Sequence, residues 1–234
     1  MATIVITGAS SGIGFETALA LAATGHSIVA VARSQSGLGN LQQASVQNIV
    51  QSNIHILPFD IIHGDYENSL LPFVTTQLGH VDILINNAGA LINQPFEKTS
   101  IDAFSDMLQS NFIGPVHMIQ HLLPLMRPGS HIINIGSMGG FQGSVKFPGL
   151  AAYSASKAAL HALTECLALE FEAKEIKINC LALGSAQTEM LRKAFPQYES
   201  PVTASEMGAY VAHFALTGHR LFNGKVLPVA VTTP

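Results

Sequence analysis

Tryptophan is missing altogether, cysteine occurs twice, and only 11% of the 234 residues are charged. Each shortage excludes something. Cys166 and Cys180 make no C-x-x-C pair and are too few for a disulfide framework, so a reducing compartment fits. The net charge of −4 comes without any basic stripe, which argues against a nucleic-acid partner. Apolar residues make up 48% of the chain, yet no uninterrupted run approaches the ~18 residues of a membrane span, and no membrane association is expected. Met1–Ile6 run into an apolar stretch without the basic segment of a signal peptide, so the expected location is cytoplasmic. His117 and His121 stand one helical turn apart, but there is no HExxH pattern or nearby cysteine, and no metal is expected.

Short Val/Ile/Leu runs are plentiful instead: ATIVIT, SIVAVA, NIHILPF, VDILIN, HIINIG, IKINCLAL and KVLPVAV. Runs this short and continuous suit strands buried on both faces, as in a parallel sheet covered by helices. Between them, Ile13–Thr24, Leu38–Ser52, Asp65–Leu78, Ile101–Met126, Ala152–Ala173 and Ala204–Leu216 read as helices. The alternation has no linker, repeat or low-complexity break. It predicts one α/β domain over residues 1–234, a Rossmann-type doubly wound parallel sheet of about seven strands with helices on both faces.

Ligands of such sheets bind beyond the carboxyl ends of the strands, where strand order reverses. The residues after the apolar runs are rich in Gly, Ser, Asn and Thr, as a ligand rim requires. After the first run comes TGASSGIG, Thr7 to Gly14. Here Gly8 permits a sharp turn, Gly12 lets backbone approach a pyrophosphate, and Gly14 lets the next helix pack tightly on the strand. Phosphates would then meet the free N–H groups of a helix start, around Ser10, Ser11 and Ile13. At the second strand end, where NAD-dependent folds place an acidic residue, the chain reads VARS. Ala32 cannot repel a 2′-phosphate and Arg33, followed by Ser34, can grip one, so NADP(H) is expected over NAD(H).

In GLAAYSASKAAL, Tyr153 and Lys157 lie four residues apart, on one face of a helix. A phenol with a pKa near 10 is a poor acid at pH 7. A cation ~4 Å away, at an effective dielectric of ~20, contributes about 4 kcal/mol and would lower that pKa by roughly three units. Tyr153 would then give a proton to a carbonyl oxygen, or take one from an alcohol.

The glycine spacing of TGASSGIG, the NNAG at Asn86–Gly89 and Tyr153-x-x-x-Lys157 together resemble the short-chain dehydrogenase/reductase family, over nearly the whole chain. The resemblance implies that Asp60 and Ile61 flank the adenine and that Asn87, Ala88 and Gly89 line the adenosine and ribose path. It implies that Lys157 also binds the nicotinamide ribose, and that Gly184, Ala186 and Thr188 border the nicotinamide end. Ser137 would hydrogen-bond the substrate oxygen, and Asn111 would hold a water in a proton relay with Lys157. The implied activity is NADP(H)-dependent reduction of a carbonyl, or the reverse oxidation of a secondary alcohol. The implied assembly is a homodimer or homotetramer, with the Ile101–Met126 and Ala152–Ala173 helices pairing across two-fold axes.

Three departures bear on substrate and assembly more than on cofactor. The sixteen-residue interval from Ser137 to Tyr153 is longer than the family's usual one, with GGFQGSVKFPGL inside it. Leu183-Gly184 stands where relatives have Pro-Gly, and the C-terminal V-D-G-G is absent. The expected substrate pocket, formed by Met138, Phe147, Pro148, Leu150, Met190, Phe195 and Tyr198, is largely apolar. It suits an apolar or mixed carbonyl compound. The competing reading is a catalytically weak nucleotide-sensing or partner-binding protein on the same fold.

Overall fold

The computed structural model describes residues 1–48 and 53–231. Seven strands, β1 (Thr3–Thr7), β2 (Ser27–Ala32), β3 (Ile54–Pro58), β4 (Val81–Asn86), β5 (Met126–Ser137), β6 (Lys177–Leu183) and β7 (Val226–Val229), form one sheet in the order β3-β2-β1-β4-β5-β6-β7. Every pairing is parallel. This is the Rossmann-type sheet that the apolar runs predict, and its strand order reverses between β1 and β4.

Alternate residues of each strand feed two cores. Ile4, Ile6, Ile28 and Ala30 pack beneath α1 (Gly12–Ala23), α2 (Gln35–Asn48) and α8 (Ala204–Thr217). Val5, Val29, Val31 and Leu84 face α3 (Leu71–Leu78), α5 (Gly114–Leu122) and α6 (Ala151–Glu170). Both strand faces are therefore covered, which is why the strands read as continuous apolar runs. The end of the helix expected over Leu38–Ser52 lies outside the described residues.

One local expectation is corrected. The helix expected over Ile101–Met126 is broken into α4 (Ile101–Leu108), a π-helical turn at Gln109–Ile113, and α5, which ends at Leu122. Met126 already belongs to β5. Its register against β4 slips between Val81 and Ile83, and the Ser130 hydroxyl holds the bulge by donating to the Val81 carbonyl at 3.1 Å. Cys166 is exposed, whereas Cys180 is buried in β6. On α6, Leu160 is fully buried but Leu169 is 76% exposed, so the helix also presents an apolar side chain away from the sheet.

Candidate active site

A cleft of about 800 Å³ follows the carboxyl ends of the strands. Its floor is set by close packing at the switch point. Gly8 has a φ of 68°, in the left-handed region that glycine adopts without strain. A Cβ on Gly14 would lie 2.3 Å from Asn87 Nδ2 and 2.5 Å from the Gly8 carbonyl oxygen, so α1 can start this close to β1 only with glycine there. Asn87 Nδ2 donates to the Thr7 and Gly8 carbonyls at 3.0 and 3.2 Å. The Thr7 hydroxyl in turn accepts from the backbone N–H groups of Asn87 and Ala88, at 3.1 and 3.0 Å. Thr7 and Asn87 thereby tie the first turn to the NNAG turn. Gly8, Ser10, Ser11, Gly12 and Ile13 line the cleft; Gly14 lies beneath it as packing.

On the β2 side, Arg33, Ser34, Asp60 and Ile61 also line the cleft. Arg33 is exposed, and among the described residues it enters no ion pair. Ser34 Oγ accepts from the Gly37 N–H at 3.1 Å, which fixes the loop at the start of α2. Asp60 accepts from the Ile62 N–H at 2.8 Å, so it shapes its own turn while facing the cleft. This half fits a dinucleotide: the glycine cradle excludes side chains where backbone must approach phosphate, and the β2 end offers a cation without an acid.

At the other half, Asn111, Ser137, Tyr153 and Lys157 come together from three elements of the fold. Tyr153 and Lys157 stand on α6, Ser137 ends β5, and Asn111 occupies the π-helical turn. The Ser137 hydroxyl hydrogen-bonds the Tyr153 phenol and also accepts from the Gly139 N–H at 3.1 Å. Lys157 is buried, and its ammonium donates to the Ile135 carbonyl at 2.7 Å. Asn111 accepts from the Ala90 N–H at 2.8 Å and donates to the Ala90 carbonyl at 2.9 Å. It also donates to Ser156 Oγ at 3.0 Å, which leaves one lone pair of its Oδ1 for another donor.

The electrostatics correct the expected pairing of phenol and ammonium. Burial pushes the Tyr153 pKa up, and the hydrogen bond from Ser137 is what opposes it. Sharing a helix face brings Lys157 near, but its ammonium turns to the Ile135 carbonyl at the strand end. Burial lowers the Lys157 pKa to about 8, with buried Cys180 opposing the shift. Tyr153 is thus a protonated phenol at neutral pH beside a lysine that is still mostly charged.

Met138, Leu150, Phe147, Met190, Phe195 and Tyr198 line the remaining wall, with Gly184, Ala186 and Thr188 below them; Pro148 is exposed outside it. Thr188 caps α7 (Glu189–Ala194) by accepting from the Leu191 N–H at 3.2 Å. Sequence reading missed Leu91, Ser185, Ala230 and Val231, which also line the cleft. Ala230 meets Gly184 so closely that a Cβ there would be 2.8 Å from its own Cβ. No motif marks that approach; only the β6–β7 pairing brings the two together.

Residues 2–199 match the family model described as short chain dehydrogenase. The chain is 35% identical over 217 residues to a fatty acyl-CoA reductase of Acinetobacter baylyi, covering 91% of this chain and 72% of that protein. A dehydrogenase/reductase from Sinorhizobium meliloti superposes with a TM-score of 0.86 at 27% identity, covering 98% of this chain and 93% of its own. Levodione reductase gives 0.87 at 25% identity, covering 97% and 95%. With its phosphate-loop glycines, NNAG turn and Tyr153/Lys157 helix in one cleft, the chain belongs to the short-chain dehydrogenase family.

Proposed function

We propose that the protein is an NADP(H)-dependent carbonyl reductase or secondary-alcohol dehydrogenase with Tyr153 as its general acid and base. The observation that carries this reading is the Ser137 hydroxyl on the Tyr153 phenol, with Lys157 and Asn111 beside it, at the end of a cleft that begins at the phosphate loop. Gly8, Ser10, Ser11, Gly12 and Ile13 would hold the pyrophosphate, Asp60 and Ile61 the adenine, and Asn87 to Gly89 the ribose path. Gly184, Ala186 and Thr188 would border the nicotinamide, which supplies or accepts the hydride when bound. Arg33 would take the 2′-phosphate, because no carboxylate stands at the β2 end to repel it.

Ser137 holds the substrate oxygen against the phenol. Tyr153, protonated because it is buried, gives up its proton as negative charge grows on that oxygen, and in the reverse direction receives it. Lys157 and the free lone pair of Asn111 lie on the cleft side of Gly89, placed to pass a proton onward. Met138, Phe147, Leu150, Met190, Phe195 and Tyr198 would wrap an apolar carbonyl compound, in keeping with reductases among the relatives. Pairing through α4 and α6, where Ile101 and Leu169 are 82% and 76% exposed, would give a homodimer or homotetramer.

With no tryptophan to interfere, nicotinamide fluorescence reports binding directly. NADPH should bind at least about tenfold tighter than NADH, a difference of ~1.4 kcal/mol, and Arg33→Ala should erase the gap. In a panel of apolar ketones, Tyr153→Phe should cut turnover by about 10²–10⁴-fold with NADPH binding retained. Unchanged turnover in that variant would show the proposed acid to be the wrong residue.

A further inference from the structure

Ser137 belongs to the sheet and Tyr153 to a helix, so something must fix the one against the other. Lys157 supplies one tie through the Ile135 carbonyl. The rest comes from three glycines around Ser137 that lay backbone directly on α6. A Cβ on Gly139 would sit 3.0 Å from Ser154 Oγ, and one on Gly140 would sit 2.6 Å from the Ala158 nitrogen. One on Gly136 would lie 2.3 Å from His161 Nε2 and 2.7 Å from Cys180 Sγ. Ser154, Ala158 and His161 form one stripe of the helix, and His161 is its lowest point.

His161 is only 7% exposed and does not line the cleft. Among the described residues its Nε2 has no hydrogen-bond partner, whereas the ring bonds the Gly140 carbonyl. The nitrogen facing that carbonyl must carry a proton, and burial keeps the ring neutral, which leaves Nδ1–H as donor and Nε2 as a bare lone pair. Phe141 closes over the ring edge-on, its centroid 6.4 Å away. The imidazole therefore touches the residue before Ser137 and the two that follow Gly139.

We propose that His161 is a positioning residue for the reaction: it clamps the turn from Gly136 to Phe141 onto α6 and so holds Ser137 at the phenol of Tyr153. This rests on the reading of Tyr153 and Ser137 as the reacting pair. The ring's bulk fills the space that Gly136 leaves, and its N–H satisfies the Gly140 carbonyl. An alkyl side chain does the first and not the second. Asparagine does the second, because its amide N–H stands where Nδ1 stands.

His161→Leu and His161→Asn separate the two. With NADPH and an apolar ketone, the Leu variant should lose about tenfold to a hundredfold in kcat, while KM and NADPH affinity stay within about twofold. The Asn variant should recover most of the loss. A second readout needs no substrate: amide hydrogen exchange at Gly139 and Phe141 should quicken in the Leu variant and not in the Asn variant. A Leu variant with wild-type kcat, an Asn variant as impaired as Leu, or unchanged exchange at the turn would overturn the assignment. Tyr153→Phe run in parallel reports on the reaction itself. If only that variant keeps full turnover, the acid is misassigned; if only the exchange result fails, His161 is.

Discussion

The two halves of the cleft are built differently. The phosphate-loop half is backbone against backbone: Gly8, Gly14, Thr7 and Asn87 lock together across the β1–β4 switch point with almost no free space. The carbonyl half is side chains carried on turns, from the Met138–Gly140 turn to the capped α7, with Phe147 51% and Met190 44% exposed. The first half leaves no room for an added atom; in the second, the Gly136–Gly140 turn is as tight, but the rim at Phe147 and Met190 is open. In the proposed function, the first half would hold the cofactor, and the open rim of the second would leave room for different substrates.

Acid should strain the carbonyl half from beneath. His161, under the Ser137 turn, and His131, within β5 beside the start of β6, have pKa values lowered to about 4, in both cases chiefly by burial. Their unfolded pKa is near 6.5, so unfolding binds protons between those limits. Stability is fully present above pH 6.5, falls as the pH drops toward 4, and levels off below it, by up to about 3 kcal/mol per ring. Thermal melts across that interval measure the sum. If His161→Asn flattens none of the slope, the carbonyl half is not the acid-sensitive one.

Gly14→Ala tests the other half. The added methyl meets the Gly8 carbonyl and Asn87, so stability should fall by about 1–3 kcal/mol and NADPH binding should weaken with it. A denaturant midpoint equal to wild type would mean the switch point is looser than its packing implies.

Phe147→Ala should have the smallest effect. Half-exposed at the rim, Phe147 contributes little to stability, and its loss should raise KM for a bulky apolar ketone by less than about tenfold with kcat unchanged. A large fall in kcat there would erase the contrast between the halves.

The same contrast decides what the amino-acid sequence reveals. The parallel sheet is legible because strands buried on both faces leave unbroken apolar runs, and the phosphate turn because only glycine fits its contacts. Tyr153, Lys157 and Ser137 are legible by spacing and by their place after strands. The direction of the Lys157 ammonium is not, since it depends on the Ile135 carbonyl reaching it from another element. The break of the α4–α5 helix leaves no proline or glycine signal before Gly114-Pro115, and the approach of Ala230 to Gly184 exists only once β7 has docked.

That break has a consequence for how the chain can change length. An α-helix turns about 100° per residue. Removing one residue from 109–113 would convert the π-helical turn into ordinary α-helix and draw Asn111, which that turn presents, away from Ala90. Removing one from the exposed 142–145 stretch would shorten a turn and leave every buried face where it is. Lineages descended from this fold should therefore vary freely in length after Ser137, while the helix that carries Asn111 keeps its count of residues.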